Sequence, residues 1–185
     1  MVGAILTQNT SWNNVEKAIA NLKQEQALTC NKIVVMKDER LALLLKPVGY
    51  FNVKARRLKN FCNWYQRVKK PEKLDTESFL KELLAINGVG PETADDMLLY
   101  AFQRPVFVID AYTRRIFTRL RMIQGEPGYE ELRHWFEKKL KRVDNKVELF
   151  NEYHGLVVRH AKVHCTARKP LCETCCLNKV CGFVV

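Results

Sequence analysis

The chain has 185 residues, of which 47% are hydrophobic and 28% charged, with only 8 glycines and 6 prolines. This composition excludes disordered and collagen-like sequence. The chain is long enough to bury an independent core, in one large domain or two small lobes. Lys and Arg number 31 against 20 Asp and Glu, and the resulting net charge of +11 indicates a polyanionic partner. No apolar run approaches the roughly 20 residues of a membrane-spanning helix and no signal peptide is visible, so we expect a cytoplasmic protein with no membrane partner.

The hydrophobic spacing predicts a succession of helices. Their expected first residues or N-caps are, in chain order, Ser11, Asp38, Asn52, Thr76, Pro91, Asp110, Tyr129 and Lys146. The segment Pro105–Ile109 has a β-like composition, but a solitary strand cannot form a sheet, so we expect buried extended chain there. We place the division between the two lobes at Arg104/Pro105.

The positive charge is concentrated in two segments without acidic residues. These segments contain Lys46, Lys54, Arg56, Arg57, Lys59, Arg67, Lys69 and Lys70 (within 41–71) and Arg114, Arg115, Arg119 and Arg121 (within 111–125). Two such segments in a chain with 20 acids favour a phosphate-contacting surface over ordinary solvated helix faces.

Two apolar-faced helices are joined by the tripeptide Gly88-Val89-Gly90, which Pro91 follows at a first helical position. The glycines permit a close backbone approach, and the N–H groups at the start of the second helix form an anion site that suits phosphate. Val89 is expected to fill the space between the helices. An ordinary tight turn between two helices is the alternative.

Asp110 follows the apolar Val108-Ile109 and precedes a helix. Such an aspartate is most often an N-cap, a position that keeps the carboxylate ionised. A fixed anion at the mouth of a site can also stabilise a sugar oxocarbenium ion and orient water toward it.

Together with Ile5–Thr10 (Ile-Leu-Thr-Gln-Asn-Thr) and a cysteine-rich tail, these motifs resemble the endonuclease III branch of the helix–hairpin–helix DNA glycosylases, the HhH-GPD superfamily. The resemblance extends over nearly the whole chain. It implies an all-α, two-lobed fold: a six-helix barrel lobe over 1–104 with the helix–hairpin–helix at about 76–102, and an iron–sulfur lobe over 105–185. The family's N-terminal helix, which packs on the metal lobe, has no counterpart before Met1.

The resemblance also implies a nucleoid-associated base-excision enzyme that acts, as a monomer, on double-stranded DNA containing a damaged base. In the family, DNA crosses the groove and the damaged base is flipped out between the lobes. Asp110 matches the catalytic aspartate, and Gln8 matches a glutamine that fills the gap left by the flipped nucleotide. DNA contacts are expected from the hairpin residues Gly88, Val89, Gly90 and Thr93.

One position departs from endonuclease III, which carries a lysine two residues after the second hairpin glycine. Here that residue is Glu92, and a carboxylate cannot form the Schiff base needed for strand cleavage. We therefore expect a monofunctional glycosylase with weak or absent lyase activity.

Glu92 and Trp12 together are similar to 3-methyladenine DNA glycosylases of endonuclease III type, in which an aromatic at the Trp12 position stacks on the extruded base. A cationic alkylated purine suits an indole face and a nearby carboxylate. Alternatively, Trp12 is a core aromatic and Glu92 an ordinary first-turn helix carboxylate.

The tail places four cysteines, Cys165, Cys172, Cys175 and Cys181, within 17 residues, and their spacing equals that of the family's [4Fe–4S] loop. Such a set suits an iron–sulfur cluster, with zinc as the alternative. Cys176 could replace Cys175 as a ligand. His160 and His164 are expected to contact DNA phosphate or to place charge at a helix terminus, and no catalytic histidine is predicted.

Two other functions remain open. The first is a bifunctional glycosylase and AP lyase that uses another amine and acts on oxidised pyrimidines or mispairs. The second is a non-catalytic DNA-binding module that retains the hairpin and the cluster.

Overall fold

A computed structural model describes residues 1–68, 70–142 and 144–183, so that Lys69 of the first basic segment lies outside the described residues. The chain forms two compact units, an N-terminal unit Met1–Met97 and a C-terminal unit Leu98–Val185. The described parts contain helices and no strand, which confirms the all-α fold.

The described residues of the N-terminal unit form seven α-helices: α1 (Val2–Leu6), α2 (Trp12–Gln24), α3 (Cys30–Val35), α4 (Asp38–Leu44), α5 (Phe51–Arg67), α6 (Thr76–Leu84) and α7 (Pro91–Asp96). The longest, α5, packs against α3 and α4, because it carries apolar side chains at helical spacing. Leu58, Phe61 and Cys62 of this stripe are buried. The helices α6 and α7, joined through Gly88–Gly90, form the hairpin that the sequence predicts.

The C-terminal unit begins within a π-helical turn (Met97–Ala101) and contains α8 (Ala111–Arg119), α9 (Tyr129–Lys139) and α10 (Lys146–Val163). Its core is rich in aromatic rings. Phe107 and Phe136 stack with ring centroids 4.6 Å apart, and Phe117 meets Phe136 edge-on at 4.7 Å. Because Val106–Ile109 are buried, outside any helix, between the π-turn and α8, this segment holds Asp110 at the start of α8 against a packed core.

The structure differs from the sequence analysis at several element boundaries. The short helices α1 and α3 were not predicted, because five or six residues carry too little periodicity to identify a helix. Asn52 lies inside α5, which begins at Phe51, rather than capping it. The division between the units falls between Met97 and Leu98, seven residues before the expected Arg104/Pro105, since Leu99 already packs into the aromatic core. Among the described residues, no helix is long and apolar enough to cross a membrane.

Candidate functional site

Asp110 is the N-cap of α8, and both oxygens of its carboxylate have polar neighbours. Oδ1 accepts hydrogen bonds from the Thr113 main-chain N–H at 2.6 Å and from the Thr113 hydroxyl at 2.8 Å. Oδ2 lies 3.4 Å from Nε2 of His154 on α10. Asp110 is only 8% exposed and Thr113 is fully buried, so these contacts fix the carboxylate at the edge of the core.

The sequence analysis predicted no catalytic histidine and did not single out His154, which the structure places beside Asp110. His154 lies mid-helix in α10, 44 residues after Asp110, and is 7% exposed. Its Nδ1 is 2.6 Å from the hydroxyl of Tyr100, which belongs to the π-turn. A lone histidine on a helix is most often packing, and only the fold brings it to the aspartate.

The surroundings of Asp110 favour its charged form. Burial raises the pKa of the carboxyl, but the neighbouring His154 ring and the two Thr113 donors outweigh burial, so that the pKa lies below that of an ordinary aspartate. The start of a helix also favours negative charge. The geometry thus presents an ionised, rigidly oriented carboxylate, which can stabilise developing positive charge or orient a water molecule.

In the N-terminal unit, the structure brings Gln8 onto the hairpin. Its Nε2 donates to the Gly88 carbonyl and to the Thr93 hydroxyl, each at 3.0 Å, and its Oε1 accepts from the guanidinium of Arg57. Gln8 is therefore anchored to the hairpin within this unit. Arg57, which the sequence analysis counted only as part of a basic segment, completes the network.

The hairpin presents backbone rather than side chains. Val89 and Thr93 are buried, at 6% exposure each, as expected of a valine that packs between the helices. Gly88 has φ +97°, and a Cβ there would lie 2.2 Å from Cγ of Arg57, so this position requires glycine. Gly90 is exposed and has open space around its missing Cβ. The main chain at Gly90 and at the start of α7 can therefore approach a phosphate closely.

Trp12 is not a core residue, since 49% of it is exposed. It opens α2 and donates from Nε1 to Oε1 of Glu16 at 3.0 Å. One edge of its ring rests on Gly3, where an added Cβ would lie 3.1 Å from Cη2. Glu16, which the sequence analysis missed, is detectable from the i,i+4 spacing. Glu92 is exposed in the first turn of α7.

Several basic residues serve the fold of their own unit. Lys54 is buried and donates to the carbonyls of Leu6 at 3.0 Å and Val48 at 2.8 Å, while Lys59 pairs with Asp38. The basic residues of the first segment that are exposed are Lys46, Arg56, Arg67 and Lys70.

The second basic segment is also used internally. Arg114 donates to the Pro127 carbonyl, Arg115 to that of Cys165 and Arg119 to that of Thr166, at 2.8–2.9 Å. Net charge alone therefore overstates how much of this segment is available to phosphate.

The four predicted cysteine ligands line a single small cavity of about 30 Å³ in the C-terminal unit. Its remaining wall includes Ile116, Leu171, Leu177 and Phe183, with His160 and His164 at its margin. Cys176 is exposed and does not line the cavity, in contrast to Cys175. The thiols are free.

Four thiols that line one cavity are a donor set that fits an iron–sulfur cluster. Within the described residues, no three His, Cys, Asp or Glu side chains are gathered closely enough to hold one metal ion. Donors that commonly surround such sulfurs are present: Arg119 Nη1 lies 3.1 Å from Cys165 Sγ, and the Leu177 N–H lies 3.4 Å from Cys175 Sγ.

Comparisons with known proteins give the same fold and family. The profile of the HhH-GPD superfamily, base excision DNA repair proteins, matches residues 2–142. A candidate DNA repair glycosylase of Methanocaldococcus jannaschii is 46% identical over 187 residues, which cover 98% of this chain and 83% of that protein. The endonuclease III of Thermotoga maritima is 30% identical over 183 residues, covering 99% and 81% of the two chains.

Among solved structures, the H. pylori 3-methyladenine DNA glycosylase MagIII bound to 1,N6-ethenoadenine aligns with a TM-score of 0.77 at 29% identity, over 87% of this chain and 82% of that one. A non-covalent endonuclease III–DNA complex aligns with a TM-score of 0.80 at 23% identity, over 98% and 81% of the chains, and supports the fold alone. The chain therefore belongs to the HhH-GPD superfamily and is an endonuclease III-like base-excision DNA glycosylase.

Proposed function

We propose that this chain is a monofunctional DNA glycosylase that hydrolyses the N-glycosidic bond of an alkylated purine, with Asp110 as its catalytic carboxylate. The observation that carries the proposal is the state of Asp110: buried at a helix N-terminus, held by Thr113, in contact with His154, and with its pKa lowered. Helix capping alone explains a charged aspartate, but it does not require a histidine against the second carboxylate oxygen.

The chemistry needs little more than this carboxylate. In an N-alkylated purine the C1′–N bond breaks with its electron pair leaving on the base, which neutralises the positive charge of the base. The sugar becomes oxocarbenium-like, and the Asp110 carboxylate stabilises it electrostatically. Water then forms the new C1′–O bond, and its proton passes to Asp110, from which solvent removes it.

The residue at position 92 supports a hydrolytic rather than a lyase reaction. An amine there would attack C1′ and form an imine, as in endonuclease III, whereas the Glu92 carboxylate has no such chemistry. The product of this enzyme is then an intact strand with an abasic site.

An alkylated purine is supported by the exposed indole of Trp12 and by two carboxylates of the same unit, Glu16 and Glu92. A cationic base gains from an aromatic face and from nearby negative charge, whereas a neutral base gains only from stacking. The 29%-identical H. pylori protein is named for 3-methyladenine, which supports the same class.

We further propose that Cys165, Cys172, Cys175 and Cys181 hold a [4Fe–4S] cluster, since all four line one cavity with apolar walls and sulfur-directed donors. Bound there, the cluster would act structurally, by cross-linking the C-terminal loop. Arg115 and Arg119 already attach the start of this loop to α8.

Base release from a panel of duplexes tests the substrate. Single-turnover reactions on DNA containing 3-methyladenine, 7-methylguanine, 1,N6-ethenoadenine, uracil, thymine glycol or mispairs should release alkylated purines most rapidly. Mass spectrometry identifies the free base. Faster release of uracil, thymine glycol or a mispaired base would overturn the substrate class, and absence of release from every duplex would overturn the catalytic role.

A further inference from the structure

We propose that His154 is a positioning residue for Asp110, and that Tyr100 holds its imidazole in the tautomer that directs an N–H from Nε2 toward Oδ2 of Asp110. The proposal deepens the proposed function and depends on it for the role of Asp110. The three side chains form a continuous chain of contacts within the C-terminal unit, from the exposed Tyr100 to the buried carboxylate.

The hydrogen-bond geometry fixes the tautomer. Nε2 of His154 faces the Oδ2 carboxylate oxygen at 3.4 Å, where an N–H is favourable and a nitrogen lone pair is not. The Tyr100 hydroxyl lies 2.6 Å from Nδ1 and can donate to it, so both contacts are satisfied when Nε2 carries the proton. The opposite tautomer would point a nitrogen lone pair at a carboxylate and leave the Tyr100 hydroxyl as an acceptor only.

The two oxygens of Asp110 are held unequally. Oδ1 has two short hydrogen bonds from Thr113, whereas the contact of Oδ2 with His154 is longer than a well-formed hydrogen bond. Nε2 of His154 is buried and forms no hydrogen bond of good geometry with any described residue. A buried donor next to this less tightly held oxygen can move closer to it when the charge on the carboxylate changes, and this is the positioning role that we assign to His154.

The described contacts of Asp110 and its neighbours come from α8, α9, α10 and the π-turn. Thr113 approaches from α8, His154 from α10, and Tyr100 from the π-turn through His154. Tyr129 of α9 accepts from the main-chain N–H of Ile109 at 3.4 Å and so faces the preceding residue. A change in the titration of Asp110 on substitution of His154 can then be assigned to the imidazole.

The direct test is the titration of the Asp110 carboxyl carbon by NMR in the DNA-free protein. In His154→Leu the burial remains and the donor is lost, so the midpoint should move to higher pH. His154→Gln, whose amide can donate to Oδ2, should restore part of the difference. Tyr100→Phe should shift the midpoint in the same direction as His154→Leu, and by less.

Base release supplies the second readout. We expect His154→Leu to slow single-turnover release about tenfold or more, the effect of one lost hydrogen bond to a charged group, and to move the acidic limb of the pH–rate profile upward. His134→Gln is the matched control, since His134 is exposed on α9, and its rate and profile should be unchanged.

The outcomes separate this proposal from the proposed function. If the Asp110 midpoint and the pH–rate profile are the same in His154→Leu, His154→Gln and the parent chain, His154 has no positioning role even in an active enzyme. If His154→Leu does not fold, the Asp110 midpoints of Tyr100→Phe and His154→Gln are compared with that of the parent chain. Identical midpoints in all three proteins would then contradict the positioning role. If the parent chain releases no base while the NMR midpoints shift as expected, the proposed function is wrong, but the effect of His154 on the titration of Asp110 is confirmed.

Discussion

At the scale of single residues, the proposed function gives Asp110 two roles that usually compete. As an N-cap it presents an oxygen to the helix, and in the proposed reaction it must also present an oxygen to the substrate. The two oxygens have different contacts, since Thr113 donates to Oδ1 and His154 approaches Oδ2. The carboxylate can therefore act without releasing the helix that it caps.

Thr113→Val tests how much the hydroxyl contributes to this arrangement. The substitution keeps the shape of a fully buried side chain and the main-chain donor, but removes the hydroxyl that donates to Oδ1. We expect the free energy of unfolding to fall by about 1.5–3 kcal/mol, the contribution of a hydrogen bond to a charged group. Thr118→Val, at an exposed position of the same helix, should change it little. Equal losses in both variants would contradict the role of the hydroxyl.

The same pair of variants carries a pH dependence. Because the folded pKa of Asp110 is depressed, its charge contributes stability that is fully present above about pH 4, the ordinary value of an unfolded aspartate. That contribution is lost as the pH falls through the folded pKa. The difference between the parent chain and Thr113→Val should therefore shrink in acid, as measured by urea unfolding at several pH values; a difference that grows in acid would contradict the assignment.

Glu92→Lys tests the chemistry assigned to position 92. An amine placed there should allow an imine with the abasic sugar, so borohydride should trap a protein–DNA adduct that the parent chain does not form. Glu92→Gln is the matched control, because it removes the charge without supplying an amine. Trapping with the parent chain would show that another amine already serves as a nucleophile and would support a bifunctional enzyme.

At the scale of elements, the hairpin between α6 and α7 exposes main-chain groups rather than side chains. The side chains of Val89 and Thr93 are buried. Position 88 requires a glycine because its φ is positive and because a Cβ there would collide with the side chain of Arg57. What remains for a ligand is the main chain around Gly90 and the first turn of α7. Affinity from this element should thus be independent of DNA sequence, since phosphate contacts carry no base information.

Gly90→Ala separates phosphate binding from folding. Gly90 is the N-cap of α7 with extended backbone and free space at its missing Cβ, so alanine should leave the melting temperature unchanged. The added methyl group should hinder close approach of a phosphate and weaken duplex affinity severalfold, as measured by fluorescence anisotropy. Gly128→Ala is matched in geometry, as the N-cap of α9 with free space, and should affect neither quantity. Unchanged affinity in Gly90→Ala would remove the hairpin from the DNA contact.

At the scale of the whole molecule, the sequence was sufficient for the fold class, the family and most helices, because these depend on hydrophobic periodicity and on motifs of fixed spacing. The segment Pro105–Ile109 was expected to be buried outside any sheet, and Val106–Ile109 are buried whereas Pro105 is exposed. Contacts between distant residues were not foreseen. Nothing in the sequence indicates that His154 reaches Asp110 or that Arg57 reaches Gln8, since both contacts depend on how helices pack.

Charge was the feature that the sequence analysis interpreted least accurately. A basic residue counts equally toward net charge whether it faces solvent or caps a buried carbonyl. Lys54, Arg115 and Arg119 donate to main-chain carbonyls inside their units, and only the fold reveals this. A basic segment therefore indicates that the molecule binds a polyanion, but it does not show that each basic residue of the segment contacts that polyanion.

Paired cysteine variants test the cofactor. If Cys175 is a cluster ligand and Cys176 is not, Cys175→Ser should lose the visible absorption of a brown iron–sulfur protein, while Cys176→Ser, at the exposed neighbour, should keep it. The iron and sulfide contents should likewise fall in Cys175→Ser and stay unchanged in Cys176→Ser. A colourless protein that contains zinc would contradict the cluster assignment.

The most direct test of the account is single-turnover reaction of the parent chain and Asp110→Asn on duplex containing 3-methyladenine, each with and without borohydride. The account predicts that the parent chain releases the base, leaves the strand intact and forms no trapped adduct, while Asp110→Asn, with similar DNA affinity, is slower by about a hundredfold or more. Equal rates for the two proteins, or an adduct trapped with the parent chain, would contradict it.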